Sequence, residues 1–568
     1  MIWRISAPYF YSEDKWPGRL LLAALIAIEL GVVAITVLVN QWNNAFYNAL
    51  QDRDWDVFVY QIGYFTVLAF AFIALKVYQL YLNQWLQMRW RRWMTQRYLN
   101  LWLDDSNHYR MQLLGDAADN PDQRIAEDLQ LFSVRALRIG LGLLNAIVTI
   151  ISFVFILWGL SNAAPLQVFG APIDIPGYLV WAALLYSIGG TVFAHWIGRP
   201  LIRLIFEQQR YEADFRFNLV RTRENSEQVA LLRGERAESA RLIDRFGNVV
   251  TNWLAIMSRT KKLTAFSSAF AQAAVIFPYI MVAPAYFAGK VQLGAVMQTA
   301  SAFGSVQEAM SFFVLSYSEL AEWRAVIDRL TGFERAVGNA QDAAAKAQKP
   351  IADDGRRIGA SELTLSLPNG APLLAVETLE IEPGDRVLVT GPSGSGKSTL
   401  FRALAGIWPF ASGTVRIPAG AKIMTLPQRP YFPVATLAGA VTYPSQAGTF
   451  DSALIAEVLV AVGLPHLAGR VDEEGHWNRM LSLGEQQRLA IARALLQKPD
   501  FLFLDEATAS LDEPAESALY ELLERLLPDT TLVSIGHRAT LERFHKRQVR
   551  TEKTGDAFRV VTGVAPQG

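Results

Sequence analysis

The 568 residues carry 53 Lys and Arg against 53 Asp and Glu, 51% hydrophobic and 11% aromatic side chains, and a mean hydropathy of +0.18. This profile excludes a disordered or collagen-like chain, whose apolar content is low, and a nucleic-acid partner, which requires a basic surplus. With no Cys and six His there is no disulfide, thiol nucleophile or thiolate metal site, and the length exceeds the roughly 250 to 300 residues that one core supports.

Residues 1–19, with Trp3, Tyr9, Phe10, Tyr11 and Trp16, fit a segment lying on membrane lipids and lack the cleavage-site pattern of a signal peptide. Crossing a bilayer takes about 20 mostly apolar residues. Such runs extend from Leu20 to Asn40, Tyr60 to Leu82, Ile139 to Leu160, Gly177 to Gly198, Leu263 to Gly289 and, more weakly, Gly294 to Leu320. The expectation is an all-α membrane domain of six spans over residues 20–333.

Basic residues set its orientation, because loops rich in Lys and Arg stay cytoplasmic. Arg89, Arg91, Arg92, Arg97 and Arg110 follow the second run, and Arg199, Arg203, Arg210, Arg216, Arg221 and Arg223 follow the fourth. The connection from Asn40 to Val59 is acidic, and that from Ser161 to Pro176 has no Lys or Arg. The N-terminus and everything after Leu320 are therefore expected in the cytoplasm, with the polar segments after the second and fourth runs continuing as long cytoplasmic helices. Three charges fall inside spans. Glu29 and Lys76 either pair with each other or leave Glu29 facing a cavity, where it would contact cargo or carry a proton. Glu308 either faces a cavity or marks a misplaced sixth span.

Residues 334–358, rich in Ala and Gln and ending near Asp353-Asp354-Gly355, form the expected linker. Beyond it, from 359 to 568, short apolar strands alternate with helices, the pattern of an α/β nucleotide-binding domain. Gly391-Pro392-Ser393-Gly394-Ser395-Gly396-Lys397-Ser398-Thr399 follows the strand Arg386 to Thr390 and opens a helix. That is the P-loop pattern in its required context. Glycines let backbone N–H groups converge on phosphate oxygens, Lys397 reaches the outer phosphates and Ser398 supplies a hydroxyl to Mg²⁺. The apolar strand Phe501 to Leu504 ends in Asp505-Glu506, acids placed to hold Mg²⁺ and polarise water. Between these motifs, Ser482-Leu483-Gly484-Glu485-Gln486 opens a helix and makes a second anion-binding terminus.

The order P-loop, Ser-x-Gly-Glu-Gln helix, Asp-Glu strand and then His537 resembles the ATP-binding cassette of ABC transporters. The resemblance implies ATP and Mg²⁺ as cofactors, Gln428 as a sensor of γ-phosphate and Mg²⁺, Glu506 as general base, His537 as the switch on phosphate and water, and Asp512 in the loop joining two cassettes. It also implies an ATPase coupled to transport, with an exporter-type fold. One cassette and one set of spans make half a transporter, which implies a homodimer whose ATP lies between one P-loop and the signature helix of the other copy, with Ser482, Gly484 and Glu485. Two departures stand out. Leu483 replaces the usual first Gly of the signature, and Leu367 stands about where an adenine-stacking Tyr is expected.

Further passages narrow the branch. Leu426-Pro427-Gln428-Arg429-Pro430-Tyr431, Gly406-Ile407-Trp408-Pro409 and Ser534-Ile535-Gly536-His537-Arg538 resemble bacterial YddA-type transporters and the peroxisomal ABCD acyl transporters. Asn40-Gln41-Trp42, Phe46-Tyr47-Asn48, Arg89-Trp90-Arg91, Asp119-Asn120-Pro121-Asp122-Gln123-Arg124-Ile125 and Glu212-Ala213-Asp214-Phe215-Arg216 resemble the SbmA/BacA membrane domain. These resemblances imply a bacterial inner-membrane location and uptake of hydrophilic or amphipathic cargo, such as peptides or cobalamin. They leave open an acyl or lipid transporter, or a nucleotide-gated channel or regulator.

Overall fold

The computed structural model describes residues 2–115, 120–163, 166–168, 171–173, 175–315, 317–346, 350–446, 448–555 and 557–564. Asp119 of the quoted membrane-half motif lies outside them. Two compact units result, one of Met1–Asn100 with Asp119–Glu334 and one of Leu101–Ala118 with Arg335–Gly568.

The first unit is helical. Among the described residues, five helices are long and apolar enough to cross a membrane. Tyr178–Glu224 has 47 residues and Glu235–Phe287 has 53. At 1.5 Å per residue either is about 70 Å or longer, more than twice a hydrocarbon core of about 30 Å, so each must project well beyond a bilayer. The short N-terminal helix Ile2–Tyr11 is tied down by Tyr9, whose ring stacks on Trp90 at 5.8 Å and whose hydroxyl donates to Asp14, itself paired with Arg89. Trp3, Tyr11 and Trp16 stay exposed.

The sixth expected span, Gly294 to Leu320, is a helix over Leu293–Leu315 but is not among the five. Its polar side chains lower its hydropathy, and its N-terminal part is bonded to the helix Lys15–Asp52. Asn40 Nδ2 donates to the Gln298 carbonyl at 3.0 Å, Gln298 Nε2 returns a bond to Asn40 Oδ1 at 3.2 Å, and Asn44 Nδ2 donates to Gln298 Oε1 at 2.6 Å. One turn away, the Gly294 N–H donates to Asn48 Oδ1 at 2.8 Å. A Cβ at Gly294 would collide with the Asn44 carbonyl oxygen, so glycine is what permits this approach.

In place of a direct pair between Glu29 and Lys76 there is a relay. Glu29 is 5% exposed and accepts from Gln79 Nε2 and from Asn145 Nδ2, the latter at 3.0 Å, while Lys76 Nζ donates to Gln79 Oε1 at 3.1 Å. An amide can stand between the two charges because its oxygen accepts from one while its nitrogen donates to the other. Glu308 is exposed.

The second unit is built on a ten-stranded sheet. Four neighbouring strands, in spatial order Arg386–Thr390, Thr531–Ile535, Phe501–Asp505 and Ile423–Leu426, are parallel. The first three are buried along most of their length, which is why they read as short apolar runs. Towards the opposite edge, Ile358–Ser366 pairs antiparallel with Pro372–Ile381 and Ala411–Pro418. Residues 334–346 continue the helix Tyr317–Lys346, and the strand Ile351–Asp353 pairs with Ala411–Pro418. Leu101–Ala118, which the sequence pattern leaves with the membrane helices, groups with this unit. There Leu113 packs on the core that contains Leu400, Phe401 and Trp408.

Candidate functional site

In open parallel sheets ligands bind beyond the carboxyl ends of the strands. The four parallel strands deliver functional groups to that edge: the P-loop after Thr390, His537 two residues past Ile535, Asp505 and Glu506 at the end of Phe501–Asp505, and Gln428 two residues past Leu426. Residues far apart in the chain meet because parallel strands in register end together.

The P-loop runs from Gly391 to Gly396 and opens the helix Lys397–Leu404. Gly391, Gly394 and Gly396 take φ of +143°, +77° and +89°. A Cβ at Gly391 would run into Thr551 Oγ1, so the loop is pressed against the strand Arg547–Thr554. Ser395 Oγ and Thr551 Oγ1 are hydrogen-bonded at 2.7 Å beneath it. Lys397 is 6% exposed and its Nζ donates to the carbonyls of Gly391 and Pro392 at 2.9 and 2.8 Å. Burial pushes its pKa down, against the carboxylates of Glu506 and Asp505, which push it up. Ser393 and Gly394 are exposed at the tip, and Thr399 is buried in the first turn.

Ser398 Oγ donates to Asp505 Oδ1 at 2.8 Å. Burial raises the pKa of Asp505 above the ordinary carboxylate value, with the Ser398 bond acting the other way. Gln428 Nε2 donates to Glu506 Oε2 at 3.0 Å, and His537 Nε2 lies 3.5 Å from Glu506 Oε1. Glu506 itself sits at φ +50°, its N–H donating to the Ile535 carbonyl at 3.2 Å. The structure therefore brings Lys397, Ser398, Asp505, Glu506, Gln428 and His537 into one cluster.

It places the remaining expected residues elsewhere. Ser482 caps the helix Leu483–Gln497 in a reciprocal box with Glu485: the Glu485 N–H donates to Ser482 Oγ at 3.4 Å, and the Ser482 N–H and Oγ donate to Glu485 Oε2 at 2.9 and 2.8 Å. Those bonds hold the Glu485 pKa below its usual value. Gly484 faces Leu511 and the Ser510 carbonyl, and Asp512 caps the helix Glu513–Leu526 by accepting from the Ala515 N–H at 3.0 Å. Among the described residues no hydrogen bond or ion pair joins Ser482, Gly484, Glu485 or Asp512 to the P-loop cluster. Leu367 stands half-exposed before a turn, its N–H donating to the Ala371 carbonyl at 2.8 Å.

The sequence assigns no role to the residues that connect these parts. Gln487 Nε2 donates to the Gln428 carbonyl at 3.0 Å, and its Oε1 accepts from the Ser510 N–H at 3.0 Å. Arg538 donates to the carbonyls of Leu511 and Ala509 at 2.7 and 3.1 Å. The one signal for them is that both directly follow motif residues, Gln486 and His537.

The cluster fits a nucleotide and a divalent cation. The glycine cradle leaves no side chain where phosphate oxygens must approach, Lys397 offers an ammonium at its centre, and Ser398, Asp505 and Gln428 offer the hard oxygen donors that Mg²⁺ takes.

Comparison with known proteins agrees. Residues 5–287 match the family "ABC transporter transmembrane region 2" and residues 375–509 match "ABC transporter". The inner membrane ABC transporter ATP-binding protein YddA of Escherichia coli is 33% identical, over 94% of this chain and 93% of its own. ABC transporter D family member 2, chloroplastic, of Arabidopsis thaliana is 33% identical over 96% and 85%, and the human lysosomal cobalamin transporter ABCD4 is 26% identical over 96% and 92%. The structure of a bacterial Atm1-family ABC exporter with ATP bound superposes with a TM-score of 0.73 at 16% identity, covering 95% of this chain and 94% of that one, which shows the exporter-type fold. With the cassette motifs gathered at one sheet edge and relatives matching along nearly the whole length, this chain belongs to the ABC transporters, as an ATPase coupled to transport that is related to YddA and to the D family.

Proposed function

We propose that the chain is one half of a homodimeric pump that takes up hydrophilic or amphipathic solutes, such as peptides or cobalamin-like compounds, across the bacterial inner membrane, with a membrane half of the SbmA/BacA type. Residues 1–19 lie on the lipid surface, residues 20–333 cross the bilayer, residues 334–358 link, and residues 359–568 hydrolyse ATP in the cytoplasm. Leu293–Leu315 is the sixth crossing, and an even number puts the N-terminus and the cassette on the same side, as the basic loops require. Kinship with the lysosomal cobalamin transporter ABCD4 supports the solute class.

The observation that carries the reading is the convergence of Gln428 and His537 on Glu506 beside Lys397 and Ser398. Lys397 exchanges the Gly391 and Pro392 carbonyls for phosphate oxygens. The N–H groups of Ser393 to Thr399 surround those oxygens. Glu506 accepts the proton of the attacking water, and His537 and Gln428 hold water and γ-phosphate in line. Ser398, Asp505 and Gln428 hold Mg²⁺, which supplies positive charge to the phosphates. Ser482, Gly484, Glu485 and Asp512 serve the ATP of the second copy, consistent with their separation from the P-loop cluster of their own chain. Apolar side chains left bare on the long helices and their connection, among them Phe217 at 67%, Leu231 at 76% and Leu232 at 82%, support a second copy as well.

Uptake of a labelled peptide into vesicles tests this. Wild type should accumulate it with ATP and Glu506→Gln should not; equal accumulation by both would sink the pump. A second reading, an acyl or lipid cargo of the ABCD kind, is favoured by one observation. A cavity of about 180 Å³ between three helices is walled by Leu131, Ile202, Ile205 and Phe206, together with the ion-paired Arg135 and Glu322 and with Arg329, which pairs with Asp128.

A further inference from the structure

The helix Lys15–Asp52 carries two polar faces near its C-terminal end. Asn40, Asn44 and Asn48 are engaged with the helix Leu293–Leu315. Asn43 and Tyr47 turn instead into a recess of about 350 Å³ shared with Glu235–Phe287 and another side of Leu293–Leu315. Its wall includes Tyr279, Ser301 and Gln307, together with small residues such as Ala274 and Gly304. From Met297 to Gln307 the recess follows ten residues of helix, about 15 Å at 1.5 Å per residue.

Two facts limit what it can hold. First, among the described residues no Asp, Glu, Lys or Arg lines it. A carboxylate or ammonium entering would leave water without gaining a counter-ion, which is costly at membrane depth. Second, its polar groups have capacity to spare. Among the described residues, the Asn43 amide and the hydroxyls of Tyr47 and Ser301 make no hydrogen bond. The Tyr279 hydroxyl has only Met297 Sδ, at 3.5 Å, and Gln307 Nε2 only Ser311 Oγ, also at 3.5 Å. Polar side chains within membrane helices face a partner, a cavity or water, because lipid offers them nothing. The polarity that keeps Leu293–Leu315 out of the apolar set thus has two uses, a lock on one side and an open surface on the other.

We propose that this recess binds an uncharged, hydrogen-bonding part of the solute, amide or hydroxyl groups, and that Asn43, Tyr47, Ser301 and Gln307 select for it. The inference rests on the pump reading and adds to it where the solute sits and which groups are recognised. A charged headgroup finds no counter-ion here, and an acyl chain would strip water from amides and hydroxyls without replacing its hydrogen bonds.

Gly304 supplies a direct test, since a Cβ there meets nothing within 4 Å and a larger side chain would fill the recess rather than the core. The probe is N-acetyl-tetraalanine amide, with dodecanoate for comparison, and the readout is stimulation of ATP hydrolysis by the full-length protein in nanodiscs. Gly304→Leu and Asn43→Leu should each raise the half-stimulating concentration of the blocked peptide at least about tenfold, the lower end of what misfit in a pocket costs. Gly63→Leu, at an exposed glycine of the helix Trp55–Leu103 with equally open surroundings, should leave it unchanged. Dodecanoate should not compete. An unaltered half-stimulating concentration in both recess variants overturns the proposal, as does stimulation by dodecanoate that Gly304→Leu abolishes. Failure of the blocked peptide to stimulate wild type whose basal hydrolysis is intact also overturns it and leaves the pump standing. Absence of basal hydrolysis in wild type would instead remove the pump on which the inference is built.

Discussion

The P-loop end and the signature end of the cassette are organised in opposite ways. At the first, Lys397, Ser398, Asp505, Glu506 and Gln428 bond to one another or to the loop that they serve, and His537 lies against Glu506. At the second, Ser482 and Glu485 close on each other and Asp512 closes on its own helix. One end is a wired cluster of side chains drawn from several strand ends. The other is a set of finished helix termini. A cluster of the first kind responds strongly when a single member is lost, whereas a lost cap should cost stability locally and leave the rest intact.

The largest effect should come from Glu506→Gln, which keeps the Gln428 contact but removes the carboxylate proposed as general base. Steady-state ATP hydrolysis should fall by about 10² to 10⁴, the usual contribution of a general base, with ATP binding retained. A residual rate near wild type would erase the contrast between the two ends. Lys397→Ala should weaken ATP binding by about 1.5 to 3 kcal/mol, the range for charge-assisted hydrogen bonds, measured by equilibrium titration. Ser482→Ala should destabilise the cassette by about 1 kcal/mol through the lost cap, read as a lower Tm. Because the folded-state pKa of Glu485 is depressed, its contribution is complete above its ordinary pKa and is lost as pH falls through the depressed value. The Tm gap between wild type and Ser482→Ala should therefore narrow in acid, the part that remains being the Glu485 N–H bond to Ser482 Oγ. A comparable effect is expected from Thr551→Val, which removes the hydroxyl under Ser395 and should cost about 0.5 to 1.5 kcal/mol of stability.

Sequence carries the cassette further than it carries the membrane half. The P-loop and the Asp505-Glu506 strand end are local: a short run of residues dictates both backbone and chemistry. Gln487 escapes because its value lies in touching the Gln428 carbonyl and the Ser510 N–H, two segments distant in the chain. In the membrane half the charges are visible but their partners are not. Gln79 and Asn145, on two other helices, hold Glu29, and nothing in spacing announces an amide between two charges. Apolar length marks five helices clearly and Leu293–Leu315 only weakly, since a helix that shares hydrogen bonds and lines a recess carries polar side chains there.

Glu506 is held at φ +50°, a left-handed backbone that costs a residue with a Cβ about 1 to 2 kcal/mol and glycine almost nothing. The turn places its carboxylate against Gln428 and His537. Glu506→Gly would relieve that backbone and at the same time delete the carboxylate that Gln428 and His537 contact, so it should yield an inactive protein with a relaxed turn. At this position backbone comfort and turnover would choose different amino acids, and a chain evolving without cargo to move would be free to drift towards the more relaxed one.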